Sequence, residues 1–183
     1  MKKFSFYFFL LCGILLLNQE LAWSQNKTFV VVLDAGHGGK DPGNRGNGYK
    51  EKDIALKVVL EVGKILKKDK DLKVLYTRTT DKFVTLDDRA KIANDADADL
   101  FVSVHCNAHS SNAQGTETFV LGLHRNEDNL KIAMKENSVI YSEDDYEVVY
   151  DGFDPSSPAS YIGMTLMQEE YLDQSILLAD YVQ

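Results

Sequence analysis

Residues 28–39 read TFVVVLDAGHGG, so that an apolar, β-branched run leads into an acid and then a histidine flanked by glycines. Such a run, ending in glycines, is typical of a strand followed by a sharp turn. The glycines leave His37 uncrowded at the strand tip, where a metal ion and a bulky substrate could both approach its imidazole. The segment therefore predicts a strand with a functional histidine at its carboxyl end.

A second histidine follows another strand-like run in the same way. Residues 100–104, LFVSV, lead directly into His105, and Glu51 opens a helical pattern between the two histidines. Two histidines and a glutamate form a three-ligand set known from catalytic zinc sites, in which the fourth position is kept for water. Glu51 has a simpler alternative interpretation, as an acid placed at a helix start by the helix dipole.

Strand and helix patterns alternate through the first two thirds of the chain. Short apolar or β-branched runs at 28–33, 72–77, 100–105 and 116–121 predict strands, and a helical pattern extends from residue 51 to about 68. Thr85, with an acid three residues later, predicts the start of a second helix. We therefore expect a single α/β domain built on a mainly parallel sheet with helices on both faces.

The carboxyl ends of the strands are where ligands gather in such sheets, and both His37 and His105 lie at strand ends. Cys106 is less suited to bind the same metal, because neighbouring residues of a strand point in opposite directions. Asp34 either ties down the loop after its strand or orients His37 through a hydrogen bond. The first is the preferred interpretation, since metal-binding imidazoles often find that partner elsewhere.

Residues 1–24 have the pattern of an export signal. Two lysines precede an apolar run, and Ala22-Trp23-Ser24 resembles a cleavage site before Gln25. A lipoprotein signal through Cys12 is a weaker alternative, because a leucine precedes that cysteine. No later stretch is long and apolar enough to span a bilayer, so we expect residues 25–183 to be a soluble periplasmic or secreted domain.

The net charge and the cysteine content of the chain indicate which ligands and which crosslinks to expect. The net charge of −8 becomes −9 when residues 1–24 are removed, since two lysines and one glutamate leave with them. An acidic body argues against binding nucleic acid or anionic lipid, whereas neutral sugars and peptides need no basic surface. Cys106 is then the only cysteine of the processed chain, so no intrachain disulfide is expected.

The last third of the chain has weaker patterns. Residues 127–139 and 161–183 each predict a helix, and an acidic segment rich in serine and proline lies between them. We interpret residues 140–158 as an inserted regulatory segment or lid. Its carboxylates could reach an open coordination site; they belong to Glu143, Asp144, Asp145 and Glu147.

Six ordered motifs resemble the zinc-dependent N-acetylmuramoyl-L-alanine amidases of bacterial cell walls. The resemblance extends from about residue 28 to 137. The motifs are LDAGHGG (33–39), EKDIAL (51–56), Thr77-Arg78, LxxRxxxAN (86–94), SVHCNA (103–108) and GTETF (115–119). The His37-Gly38-Gly39 segment also resembles the oxyanion loop of serine hydrolases, but that class is excluded because the chain has no Gly-x-Ser-x-Gly nucleophile turn.

The resemblance implies that His37, Glu51 and His105 bind Zn²⁺, and that the reaction is hydrolysis of the amide joining N-acetylmuramic acid to L-alanine in peptidoglycan. The family's catalytic glutamate belongs to a later strand that this sequence does not contain. The catalytic residue therefore stays unknown, with Glu117 as the first candidate, and we expect a chain incomplete at its C-terminus. The alternative is an inactive zinc-binding module that recognises peptidoglycan.

The remaining expectations concern substrate and regulation. Asn107 and Arg78 are candidates for substrate contacts, although buried ion pairing within the fold is the preferred interpretation for Arg78 and Arg89. Some related amidases carry a helix that covers the zinc at about the position of residues 140–158. The resemblance thus implies autoinhibition, and with it an activator protein that relieves it.

Overall fold

A three-stranded parallel sheet lies at the centre of the fold, as predicted. The computed structural model describes residues 28–107, 114–120, 132, 134–151, 153–154 and 171–183. The sheet has the order β4-β1-β5, with strands β1 (Phe29–Ala35), β4 (Leu72–Tyr76) and β5 (Leu100–Val104). Ala35 pairs with Val104, so β1 and β5 end at the same level and the residues after them start from one edge.

Helix α1 (Glu51–Leu66) covers one face of the sheet. Val31, Leu33 and Ala35 of β1 point into a core that also contains Ala55 and Val59 of the helix. These side chains recur at alternate positions in the strand and every four residues in the helix, which is the spacing that places them on one face. The same packing sets Glu51, the first residue of α1, at the carboxyl edge of the sheet.

Helix α2 (Leu86–Asp95) reaches the opposite face of β1 through Arg89. Its predicted start is confirmed, since the Thr85 hydroxyl accepts a hydrogen bond from the Asp88 amide at 3.1 Å. Arg89 lies 2.6 Å from Asp34, which is on the face of β1 away from α1. Both side chains are nearly inaccessible to solvent, so the ion pair fastens α2 to the strand that carries His37.

A small hairpin between β1 and α1 was not predicted. Strands β2 (Arg45–Gly46) and β3 (Tyr49–Lys50) pair antiparallel across Asn47-Gly48, and both turn residues have positive φ, 50° and 82°. Asn-Gly is the strongest sequence signal for this tight turn, so the sequence did contain the evidence. The hairpin lies directly before Glu51 and so determines how the chain enters α1.

The prediction of a strand at 116–121 was wrong for residues 116–120, which are not in a strand. Phe119 is 43 % exposed. Strand propensity reflects packing against neighbouring strands, and these five residues have no ladder partner among the described residues to supply it. Residue 121 lies outside the described ranges.

The C-terminal third contains short helical pieces. Residues 134–137 are helical and continue into a 3-10 helix, Ser138–Ser142, then α3 (Tyr146–Val149) and, further on, α4 (Leu172–Val182). Residues 1–24, 127–131, 155–158 and 161–170, which carry parts of earlier predictions, lie outside the described residues. Within the described ranges, no helix has the length and apolar character needed to cross a bilayer.

Candidate metal centre

The three predicted ligands converge at the carboxyl edge of the sheet. His37 Nε2 lies 3.1 Å from both Glu51 Oε1 and His105 Nδ1, and His105 Nδ1 is 3.1 Å from the same Glu51 oxygen. His37 follows β1 and His105 follows β5, so the pairing of those strands brings residues 68 positions apart into contact. Glu51 completes the set from the start of α1.

A fourth group, Glu136, belongs to the same cluster and was not predicted. Its Oε2 lies 3.2 Å from His37 Nε2 and 3.0 Å from His105 Nδ1. Ligand atoms of the four side chains all lie within 4.8 Å of one another. Glu136 is one acid in a stretch predicted to be helical, with no spacing that would have distinguished it; only the fold brings it to the histidines.

Asp41 orients His37 from the side away from the cluster. The imidazole Nδ1–H donates to Asp41 Oδ2 at 2.7 Å, which leaves Nε2 facing Glu51 and His105, where it could bind a metal ion once deprotonated. A carboxylate behind a histidine is a typical arrangement in metal sites, where it fixes the tautomer and the ring orientation. Asp34, the alternative partner weighed from the sequence, instead accepts hydrogen bonds from Thr77, Arg89 and Ser103.

Glu51 is fixed by backbone and amide donors. Its Oε1 accepts from the Cys106 amide at 2.7 Å, and its Oε2 accepts from both the amide and the side-chain nitrogen of Asn44 at 2.8 Å. Glu51 is 2 % exposed, and its carboxylate faces the histidines. A helix-start acid would instead be solvated, so the geometry favours the ligand interpretation.

Two glycines provide the space that the cluster occupies. The His105 ring lies so close to Gly36 that a Cβ at that position would overlap its atoms. Gly43 has a positive φ of 62°, and a Cβ there would overlap His37 and Glu51. His37 itself has a φ of 59°, in the left-handed region that is uncommon for residues other than glycine and that costs about 1–3 kcal/mol.

The electrostatics of the cluster favour a positive charge at its centre. Burial opposes charging of both imidazoles, but the carboxylates of Asp41, Glu136 and Glu51 raise the pKa of His37 to about 11. Glu136 and Glu51 similarly raise the pKa of His105 to about 9 against the effect of burial. Burial would raise the pKa of Glu136, but the two histidines lower it to about 2.

The chemistry of this donor set fits a divalent metal ion. Two imidazole nitrogens face each other, with carboxylate oxygens of Glu51 and Glu136 close to both, and Glu136 Oε1 is buried with no hydrogen-bond partner among the described residues. A buried oxygen with no partner is costly, and a cation bound by the Glu136 carboxylate would offset part of that cost. Mixed imidazole and carboxylate ligation in a tetrahedral arrangement is characteristic of zinc.

The other residues singled out from the sequence lie around this centre. Asn107 is exposed and donates to Glu117 Oε2 at 3.1 Å, and neither residue belongs to the four-ligand cluster. Arg78 is 1 % exposed and donates to backbone carbonyls rather than to a substrate-facing surface. The buried ion pair preferred from the sequence is found for Arg89, with Asp34, but not for Arg78 among the described residues. Cys106 contributes its amide to Glu51, and burial raises the pKa of its thiol.

A cleft of about 400 Å³ opens beside the cluster. One wall is the loop that carries His37 and Asn44, and the other is the segment that carries Glu136 and Ser142. The cleft gives a ligand a route to the metal centre along the boundary between these two parts of the chain.

Comparisons with known proteins identify the family of this chain. Residues 31–183 match the profile of the N-acetylmuramoyl-L-alanine amidase family. The endolysin of Bacillus phage SPP1 is 54 % identical over 90 residues, covering 49 % of this chain and 33 % of that protein. The uncharacterised protein YqiI of Bacillus subtilis is 39 % identical over 136 residues, covering 72 % and 65 %.

One solved structure is the catalytic domain of CwlV, an N-acetylmuramoyl-L-alanine amidase from Bacillus (Paenibacillus) polymyxa var. colistinus. It is 38 % identical with a TM-score of 0.48, and the match covers 62 % of this chain and 61 % of that one. The chain spans from a third to two thirds of the length of the two curated relatives described above. With the profile matched over most of its length, the chain belongs to the N-acetylmuramoyl-L-alanine amidase family.

Proposed function

We propose that this chain uses zinc to hydrolyse the amide between N-acetylmuramic acid and the L-alanine of the stem peptide in peptidoglycan. The observation that carries the proposal is the convergence of His37, Glu51 and His105 on one point at the sheet edge, in a chain of this family. A zinc ion held there would lower the pKa of a bound water and polarise the scissile carbonyl.

The protein's own contribution is to hold the ligands in place. Asp41 retains the Nδ1 proton of His37, so that Nε2 stays available as a donor to the metal. Asn44 and the Cys106 amide hold the Glu51 carboxylate in one orientation. The general acid–base group is not assigned by the geometry, and Glu117, held by Asn107, remains the first residue of this chain to test.

The first experiment measures metal content and cleavage together. Purified chain is analysed for bound metal and then incubated with sacculi, and new N-terminal alanine is quantified by amine labelling. We expect about one zinc per chain, its loss in His37→Ala and His105→Ala, and release of stem peptides that depends on zinc. Zinc binding with adhesion to sacculi but no new alanine amine would instead support the recognition-module alternative.

We further propose that Glu136 blocks the metal centre as an autoinhibitory ligand. Its carboxylate lies where a fourth ligand would bind, within 3.2 Å of both imidazoles. Water and a substrate carbonyl would therefore have to displace it before reaction. Glu136 precedes residues 140–158, so the blocking carboxylate differs from the four acids that the sequence suggested.

The segment that carries Glu136 is attached to the body of the protein at several points. Lys135 donates to Asn44 at 2.6 Å, and Lys40 donates to the Ser142 carbonyl at 2.6 Å. Glu143 is buried, accepting from the Leu86 amide at 2.9 Å and from the Tyr150 hydroxyl at 2.6 Å. Glu143 thus caps helix α2 and holds residues 138–151 beside the cleft, rather than reaching the metal.

Activation would require these contacts to break. A partner protein that binds residues 138–151 and pulls them away from α2 would expose the metal centre to peptidoglycan.

We also propose an extracytoplasmic location, after cleavage of residues 1–24, since peptidoglycan lies outside the membrane. Cell fractionation, with mass spectrometry of the N-terminus, tests the location; a cytoplasmic chain that retains Met1 would contradict it.

A further inference from the structure

Arg78 lies beneath the metal centre and directs its whole guanidinium at backbone oxygens. Nε donates to the Ala35 carbonyl at 2.9 Å and Nη1 to the Thr80 carbonyl at 3.2 Å. Nη2 donates to two carbonyls at 2.8 Å each, those of Gly36 and Lys52. Among the described residues Arg78 forms no salt bridge, and the side chain is almost entirely buried.

The two carbonyls bridged by Nη2 belong to the neighbours of two proposed ligands. Gly36 directly precedes His37, and Lys52 directly follows Glu51. One nitrogen therefore links the loop after β1 to the first turn of α1, at the points where the two ligands leave the backbone. Only arginine has a planar fork of donors that can serve several acceptors at fixed angles.

Of the proposed ligands, His105 is positioned relative to His37 without Arg78, whereas Glu51 is not part of the sheet. His105 is placed relative to His37 by the β1–β5 ladder, which continues through a 3.0 Å hydrogen bond from the Gly36 amide to the Val104 carbonyl. Glu51 belongs to a helix and lies outside the ladder. The Glu51 amide donates to the Asn44 carbonyl, and the Lys52 amide donates to the Pro42 carbonyl. The Lys52 ammonium reaches the Gly39 carbonyl at 2.8 Å through a long, flexible side chain, whereas Arg78 joins the Lys52 and Gly36 backbones directly.

We propose that Arg78 is a positioning residue of the metal centre, which sets the separation of His37 and Glu51 by bridging the Gly36 and Lys52 carbonyls. The proposal rests on metal binding by these ligands. A buried guanidinium that only neutralised charge would face a carboxylate, as Arg89 faces Asp34 at 2.6 Å. Among the described residues, no carboxylate lies within salt-bridge distance of Arg78. Burial and nearby Arg89 lower its pKa, and the carboxylates of Asp81, Asp34 and Asp53 oppose this only in part. Its placement is therefore explained better by the carbonyls that it bridges than by charge pairing.

The test separates positioning from general stability. Arg78→Lys keeps a positive charge but has one nitrogen, which cannot reach the Ala35, Gly36 and Lys52 carbonyls together. We expect its zinc affinity to fall about 10- to 100-fold, in the range seen when groups that orient metal ligands are removed, and the absorption bands of the Co²⁺-substituted chain to shift. The control is Val74→Ala, a core truncation in β4 that should lower the melting temperature and leave affinity and spectrum unchanged.

Rescue and a measurement on the unaltered chain complete the test. Millimolar methylguanidinium should restore zinc affinity to Arg78→Ala. In the unaltered chain, the Arg78 side-chain N–H groups should exchange slowly with solvent both with and without metal, as measured by NMR, whether or not the variants fold. Wild-type affinity and spectrum in Arg78→Lys, or rapidly exchanging Arg78 N–H groups, would overturn the proposal. If the unaltered chain binds no zinc, the proposed function itself fails, which is a different result.

Discussion

The Nδ1 atom of His37 lies 2.7 Å from Asp41 Oδ2, and this contact fixes which nitrogen of the imidazole faces the metal centre. Asp41 also accepts a hydrogen bond from the Gly43 amide at 3.1 Å, so the loop holds its own carboxylate in place. Burial would raise the pKa of Asp41, but the His37 hydrogen bond and the Gly43 amide lower it, which keeps the group ionised.

Replacing this carboxylate should weaken metal binding without unfolding the chain. In Asp41→Asn the amide could hold His37 in either tautomer, and its neutral oxygen is a weaker acceptor. We expect about a 10-fold loss of zinc affinity, at the lower end of the usual range for such partners. Competition with a chromophoric chelator measures the affinity, and Asp53→Asn, an exposed acid in the first turn of α1, is the control. Equal affinities in all three proteins would remove Asp41 from the site.

Glu51→Gln should lower zinc affinity more strongly than Asp41→Asn. The substitution preserves shape but replaces a charged ligand atom by a neutral one, and one of three protein ligands is then weakened. Far-UV circular dichroism should show an unchanged fold, because α1 keeps its second first-turn acid, Asp53. Elemental analysis gives the result. Full zinc content in Glu51→Gln would return this residue to the role of a helix-start acid.

Glu136→Gln should raise the rate of peptidoglycan cleavage if Glu136 blocks the fourth position. A neutral amide competes less well with water for the metal, so the open form becomes more populated. Zinc affinity should fall slightly at the same time, since a ligand is weakened. Release of stem peptides is compared with that of Glu147→Gln, an exposed acid in α3. A slower Glu136→Gln protein would show that Glu136 takes part in the reaction instead.

Glu143→Ala should loosen residues 138–151 while the sheet stays intact. The variant removes the acceptor of the Leu86 amide and of the Tyr150 hydroxyl, and hydrogen bonds to a charged group contribute about 1.5–3 kcal/mol each. Roughly a 10-fold or greater increase in local opening follows, visible as faster hydrogen exchange and proteolysis in this segment. Asp144→Ala, an exposed neighbour, is the control. Unchanged exchange in Glu143→Ala would refute its role in holding the segment.

The metal-free chain should lose stability as the pH rises above 6.5. The pKa values of His37 and His105 are raised in the fold to about 11 and 9, from an ordinary value of 6.5. Their contribution is thus complete below pH 6.5 and is lost as the pH passes through 9 towards 11. Melting temperatures across this window test it. The zinc-loaded chain should decline less, because the ion supplies the positive charge; parallel curves would contradict the expectation.

The sequence was sufficient for the parallel core and for three members of the cluster. Apolar runs ending at His37 and His105 place both histidines at one sheet edge, because parallel strands share that edge. Glu51 could be identified because the helical spacing of apolar residues begins directly after it. These inferences succeed because each depends on local spacing together with one general rule of sheet construction.

Other parts of the centre depend on contacts that local spacing does not encode. Glu136 reaches the histidines from a segment far along the chain, and Asn44 is held beside Glu51 by the turn that the β2–β3 hairpin makes. Asp41 could have been suggested from the sequence, because it is an acid only four residues after His37 and metal-binding histidines often have a carboxylate partner. The prediction of a strand at 116–121 was wrong because it relied on the strand propensity of these residues and did not identify a neighbouring strand with which they could pair.

The contact between Gly36 and the His105 ring has a consequence for tracing descent within this family. Gly36 does not have a left-handed backbone, so another residue could occupy the position without backbone strain, but its Cβ would overlap the His105 ring. A descendant with a larger residue at this position would keep its fold while its histidine was displaced. The size of this one side chain would then distinguish lineages that retained the metal centre from lineages that kept the domain for another purpose.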